Sequence, residues 1–490
     1  MTNANNTSGD TMSQAGGRAR RRRTKGALLV GALALTTTVT AVVPLPGVSH
    51  ADVSESEGIQ CTTNATATFD VEARDGWISV PDGNSIYAWS YSRGAQATGA
   101  PFQFPGPVLC VNEGDNVTIN LHNTLPVPTS IELPGFEDVK AGGVAAQPVV
   151  DVGTGDLTSL TTAVAPGATL AYTFKAARPG TYAYRSGTDP QLQVQMGLFS
   201  SIVVRARVAA IVDPSWPQAV KDATACAYKT AAGTCELSSR YDINHENLLM
   251  LSEIDPELHN EVDATVHGTL PAGASPVLTY AQYGKPYAPH YYMINGRSFP
   301  DTIAPNNAPW LPAQPYGSLS HVAPYDAATN PLDALIRYVG FGVTSYPFHP
   351  HSNHENVIAT DAQLMVSGAG SGEEEKFAIM VNPGSTVDAT FRWTNIDQYS
   401  EAANPVPAPY SNSLNLTEGD LWSGSPYLGT SNQLNPGING KTQCGEYYHV
   451  AHSHDLSQAT NYGASFGGML TLIRVEPPDN LQDPAHKCNF

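Results

Sequence analysis

GTYAYRSGTDPQLQVQMGLFSSIVV, residues 180–204, returns in altered form as GEYYHVAHSHDLSQATNYGASFGGMLTLI, residues 445–473. Both stretches run in one order: a glycine, an aromatic pair, a serine between two other residues, a glutamine, a glycine and an apolar strand. Ser186 answers to Ser453. Upstream, TSIELPG (129–135) stands in its half where SYPFHPHS (345–352) stands in the other. Self-similarity over this length implies two copies of one structural plan. The copies differ where chemistry would sit. Glu132 and Pro134 occupy the places of His349 and His351, and Arg185 and Gly187 occupy those of His452 and His454.

Around these stretches, short apolar or alternating runs recur between Gly, Pro, Asn and Asp, as in ATATFDVEA, NVTINLHN, TLAYTFKA, NLLMLSEI, ALIRYVGFGV and DATFRWTN. Alternation with a period of two marks half-buried strands, and helical periodicity is scarce. The chain therefore reads as all-β, with tandem Greek-key β-sandwich domains. The expected order is a first sandwich over 52–205, a linker over 206–239 carrying Cys226 and Cys235, and a second sandwich over 240–490. Residues 396–443 form a long loop rich in Asn, Ser, Pro, Gly and Tyr within the second.

The four histidines of the second copy carry the chemistry. Side chains at i and i+2 of a strand leave the same face about 7 Å apart. Each His-x-His thus presents two imidazoles together, and imidazole is a common ligand of copper, zinc and iron. Solvated surface histidines are the plainer explanation of a single such pair. Two pairs, flanked by His354 and His449, favour a metal site at His349, His351, His452 and His454.

Residues 1–51 read as an export signal. Arg20 to Arg23 and Lys25 precede an apolar stretch from Gly26 to Val43, and Ser49-His50-Ala51 follow it. Threonines thin the apolar stretch and Pro44 and Pro46 close it, so a retained membrane anchor is disfavoured, and no later segment spans a membrane. Without this leader, 19 basic residues face 43 acidic ones, a net charge of about −24. Such a surface repels phosphate backbones and excludes nucleic acid as a natural partner. The six cysteines form an even set, as expected of disulfides in an exported protein. Of fifteen pairings, we expect Cys61 with Cys110, Cys226 with Cys235 and Cys444 with Cys488.

PGPVLCVNEGDNVTINLHNTLPVPTSI (105–131) and the 180–204 stretch resemble the opening cupredoxin domain of the multicopper oxidase superfamily, which includes the laccases. YYMINGRSFPDTI, YPFHPHSNHENVI, YYHVAHSHDLSQ and FGGMLTLI resemble its copper-bearing closing domain, in order. The resemblance implies tandem cupredoxin-like sandwiches. It also implies a reduced ligand set. The family's His-Pro-x-His-x-His motif falls on residues 346–351, with Tyr346 in place of the first histidine. Its His-Cys-His motif falls on 452–454, with Ser453 in place of the thiolate, and Gln458 stands near its last histidine. No family ligand falls in the first copy.

What remains suits one ion, held by four imidazoles or by three and water, with copper the first choice and zinc the second. Tyr346, Glu132 and Arg185 are the candidate catalytic residues. Tyr346 could act as a phenol beside the metal or pack as a core aromatic. Glu132 and Arg185 could serve as base and anion clamp or form an interdomain ion pair. The functional expectation is a secreted copper-dependent oxidoreductase with a mononuclear site. Its alternative is a non-catalytic cupredoxin scaffold for binding, copper sequestration or surface assembly. The sequence leaves the substrate, small molecule or surface, and the oligomeric state open.

Overall fold

A computed structural model describes residues 58–94, 101–268, 286–367, 370–394 and 447–476. The export signal, the loop over 396–443 and the Cys444 with Cys488 pairing lie outside the described residues.

The first half builds two facing sheets. β1 (Thr68–Ser79), β2 (Ser85–Arg93), β4 (Asn116–Asn123) and β5 (Thr169–Lys175) form one in the order β2-β1-β4-β5, extended by Lys140–Ala141 and Val144–Ala145. β3 (Leu109–Asn112), β6 (Gly180–Arg185) and β7 (Phe199–Arg205) form the other in the order β6-β7-β3. Alternation decides which side is buried: in β4, Val117, Ile119 and Leu121 point inward while Thr118, Asn120 and His122 lie between them. These residues meet Tyr172, Tyr184, Ile202 and Val204 in the first core.

The second half repeats the plan at larger size. β8 (Arg240–Ile254), β9 (Tyr291–Ile294), β11 (Asp333–Gly340), β13 (Glu355–Thr360) and β15 (Thr386–Phe391) belong to a ten-stranded sheet. β10 (Ser320–Val322), β12 (Tyr346–Pro350), β14 (Ile379–Val381), β16 (Tyr447–Ser453) and β17 (Leu470–Val475) form a five-stranded sheet in the order β10-β17-β16-β12-β14. Leu251, Ile336, Tyr338, Tyr346, Phe348, Val381 and Ile473 fill the core between them. The all-β reading is thus met by these sheets.

A third apolar cluster joins the halves. Phe104, Val108, Phe199 and Val203 from the first pack with Met250, Met293, Val339 and Phe341 from the second, and Phe199 stacks on Phe341 at 4.3 Å. Beside it lies a buried polar seam. Arg337 donates to Glu246 (2.8 Å), Asp388 (3.1 Å) and Thr181 (3.0 Å), while Thr181 and the Tyr228 hydroxyl both donate to Asp388. A buried guanidinium is tolerable because both carboxylates compensate its charge. The segment read as a linker is therefore built into both halves: Thr224–Cys226 pairs with β8, Tyr228 enters the seam and Lys229 pairs with Glu113.

The sequence reading also missed a helix, α1 (Pro256–His267). Its signal was present. Asp255 caps it by accepting from the backbone N–H of Glu257 at 2.9 Å, and Pro256 opens it. Leu258 and Val262 of this helix enter the first core, and His259 sits between the carbonyls of Tyr87 and Gln195.

The disulfides Cys61–Cys110 and Cys226–Cys235 are formed, and among the described residues no cysteine is free. No helix among the described residues is long and apolar enough to cross a membrane.

Candidate metal centre

β12 and β16 are antiparallel neighbours with His349 opposite His452. The ladder continues at both ends, where the His351 N–H donates to the Val450 carbonyl (2.8 Å) and the His454 N–H to that of Pro347 (2.7 Å). Strand parity then places all four imidazoles on one face. Tyr346, Phe348 and Pro350 are buried on the other. The rings gather closely: His349 lies 4.6 Å from His351, 5.0 Å from His454 and 5.7 Å from His452, centroid to centroid.

Backbone carbonyls fix two of the tautomers. His349 Nδ1 meets the Phe377 carbonyl, and His452 Nδ1 meets the Ser453 carbonyl at 2.7 Å. A carbonyl only accepts, so both Nδ1 atoms carry the proton and the Nε2 lone pairs are left for another partner. His351 Nε2 stands 3.2 Å from His452 Nε2. Two imidazole nitrogens bound tetrahedrally to one ion at about 2.0–2.1 Å stand roughly 3.3 Å apart, so this spacing suits a shared ligand atom. Burial holds the His351 and His452 pKa values below 6.5, helped at both by the neighbouring imidazoles. Both therefore stay neutral at pH 7, the form that binds metal. Among the described residues, no group of three or more His, Cys, Asp or Glu is already disposed to hold a metal ion. The four imidazoles are thus a gathered set of suitable donors rather than a closed coordination shell.

Of the other candidates, Tyr346 is turned away from this cluster. Tyr346 lies across β12 from His349 and His351, fully buried in the second core, because residue 346 has the opposite strand parity. Its hydroxyl and the Glu253 carboxylate occupy the space a Cβ would need at Gly342. Burial lifts the Glu253 pKa to about 7. Glu132 and Arg185 pair with each other, side chain to side chain at 3.0 Å and through two backbone hydrogen bonds. Both partners belong to the first sandwich, so the expected interdomain ion pair is an intradomain one, with the guanidinium set against Gly384 of the second half. His449 accepts from Trp393 Nε1 at 3.0 Å. His354 lines a polar cleft with Arg240, Asp333 and Arg392.

Sequence reasoning missed Phe377, whose carbonyl orients His349 and whose ring stands edge-on to His349 and His454 at 5.7 and 5.9 Å. The short strand β14 beyond it gives too brief an apolar run to register. The repeat, however, has a physical counterpart behind the histidines. Buried Ser453 donates to Gln458 Oε1 at 2.5 Å, and buried Ser186 donates to Gln193 Oε1 at 2.7 Å. In each copy the glutamine amide then donates to a backbone carbonyl, Ser345 in one and Pro128 in the other.

Residues 87–209 match the family described as multicopper oxidase. A laccase of Aspergillus fumigatus, abr2, is 33% identical over 108 residues, which cover 21% of this chain and 16% of that protein. Copper resistance protein A of Escherichia coli is 35% identical over 103 residues, covering 21% of this chain and 15% of that protein. The chain thus spans only about a sixth of the length of these curated relatives. The blue copper oxidase of Nitrosomonas europaea aligns over 83% of this chain and 85% of its own, with 17% identity and a TM-score of 0.48. The segment that matches this family model runs from β2 through β7.

Proposed function

We propose that the protein is an exported copper-dependent oxidoreductase that binds a single copper ion through His349, His351, His452 and His454, with zinc the second choice of metal. The observation that carries this reading is the gathering of four imidazoles, two with Nδ1–H pinned on carbonyls, on one face of β12 and β16. Copper, when bound, supplies one-electron chemistry through its two oxidation states. The chain's own residues present the Nε2 atoms, hold the Nδ1 protons and keep His351 and His452 neutral. The Phe377 ring walls one side of the cluster. His349, His351, His452 and His454 are the proposed metal ligands.

A mononuclear site rather than the family's larger copper set is supported by the buried Ser453–Gln458 pair, whose hydrogen bond occupies the place of a thiolate and an imidazole. The division into sandwiches over 52–205 and 240–490 is supported by one core drawn wholly from residues 249–475 and another drawn mostly from residues 67–204, which Leu258, Val262 and Ala362 also enter. Export is supported by the two disulfides, which persist in oxidising compartments.

The Ser–Gln pairs in both copies also favour a second reading, a cupredoxin scaffold that sequesters copper or assembles on a surface without turnover. Oxygen consumption by copper-loaded protein with a panel of one-electron reductants divides the two. Turnover that disappears in the His349→Ala, His452→Ala double variant supports the oxidoreductase. Copper bound without turnover supports the scaffold.

A further inference from the structure

Met380 lies on the same outer face as the four histidines. In the β12–β14 ladder Tyr346 pairs with Val381, Pro347 with Met380 and Phe348 with Ile379. Tyr346, Phe348, Ile379 and Val381 are buried, whereas Met380 is 53% exposed. In the β12–β16 ladder Phe348 pairs with Ser453, and the His454 N–H reaches the Pro347 carbonyl. Met380, Pro347 and His454 therefore form one row across three strands, directly beside the row containing His349 and His452. Met380 is the diagonal neighbour of His349, and such neighbours stand about 7 Å apart, within reach of a long side chain.

A lone exposed methionine on a strand is ordinary. This one is an unbranched, freely rotating thioether beside four imidazoles. Thioether and imidazole donors together suit cuprous copper, whereas carboxylates would suit harder ions. We propose that Met380 supplies a sulfur ligand to Cu(I) at the histidine cluster, so that the site prefers the reduced ion. This rests on the proposed copper site and names the oxidation state that it stabilises.

The test uses the full chain, loaded anaerobically with Cu(I) and separately with Cu(II). Affinities are measured by chelator competition for the wild type, Met380→Leu and His349→Ala, and X-ray absorption of the Cu(I) form reports sulfur scattering. Met380→Leu is expected to lose roughly tenfold in Cu(I) affinity, to keep its Cu(II) affinity and to lose the copper–sulfur signal. Its unfolding temperature should match the wild type, because the side chain is exposed. Nitrogen-only scattering in wild-type protein whose copper is lost in His349→Ala overturns the Met380 ligand and leaves the histidine site intact. No copper bound by wild type, or binding unaffected by His349→Ala, overturns the copper site itself and the Met380 role with it.

Discussion

His351 Nε2 and His452 Nε2 face each other at 3.2 Å between adjacent antiparallel strands. Because His452 Nδ1–H donates a hydrogen bond to the Ser453 carbonyl, His452 Nε2 carries a lone pair. It either accepts a proton from His351 or shares a metal with it. In metal-free protein both rings should titrate below 6.5, since burial and the adjacent imidazoles disfavour their charged forms. An NMR titration of histidine ring signals measures this, and values at or above 6.5 for both would contradict the packing described.

Ser453 and Gln458 bond to each other in the second core, as Ser186 and Gln193 do in the first, and no described cysteine is free. Two consequences follow for the thiols. Copper-loaded protein should show no intense thiolate-to-copper absorption, because a blue centre needs a cysteine ligand. Protein denatured without reductant should also contain no titratable thiol, as expected if Cys444 and Cys488 are paired.

Arg337 is almost fully buried between Glu246 and Asp388. Arg337→Met should destabilise the fold by about 3–5 kcal/mol, because it leaves buried Asp388 without a cationic partner and buried Glu246 with Arg205 alone. Chemical denaturation measures the loss. A triple variant that also neutralises Glu246 and Asp388 should recover much of it, whereas simple loss of packing would not be recovered.

Glu355 is fully buried, accepts from the Tyr338 hydroxyl at 2.8 Å and has its pKa raised to about 8 by desolvation. The folded protein therefore holds a proton that the unfolded chain has already released. Its contribution to stability is complete below about 4.5, the unfolded value, and is lost as pH rises toward 8. Glu253, raised to about 7, acts in the same direction. Glu355→Gln should flatten the fall in stability between pH 5 and 8, by an amount on the order of a few kcal/mol. An unchanged slope in urea denaturation across that range would contradict it.

The sequence revealed the sandwiches and the histidine faces because both depend on a period of two, visible in NVTINLHN and in each His-x-His. Parity also explains what misled. Tyr346 stands three residues before His349, close in sequence but on the opposite face of β12, and its neighbourhood in space is Gly342 and Glu253. Glu132 and Arg185 were legible as a pair, but their pairing within one sandwich depends on a bridge between distant segments. The helix at Pro256–His267 was marked by Asp255-Pro256 and was overshadowed by the surrounding strands. Phe377 and Met380 lie on or beside a three-residue strand, too short for any periodic signal.

The most direct test of the central claim is a copper titration of the full chain followed by electron paramagnetic resonance, alongside the His349→Ala, His452→Ala double variant. The account predicts saturation at about one Cu(II) per chain, with nitrogen hyperfine structure typical of imidazole ligands, and loss of that signal in the variant. Two or more coupled coppers, or equal binding in the variant, would contradict a mononuclear site built on these four histidines.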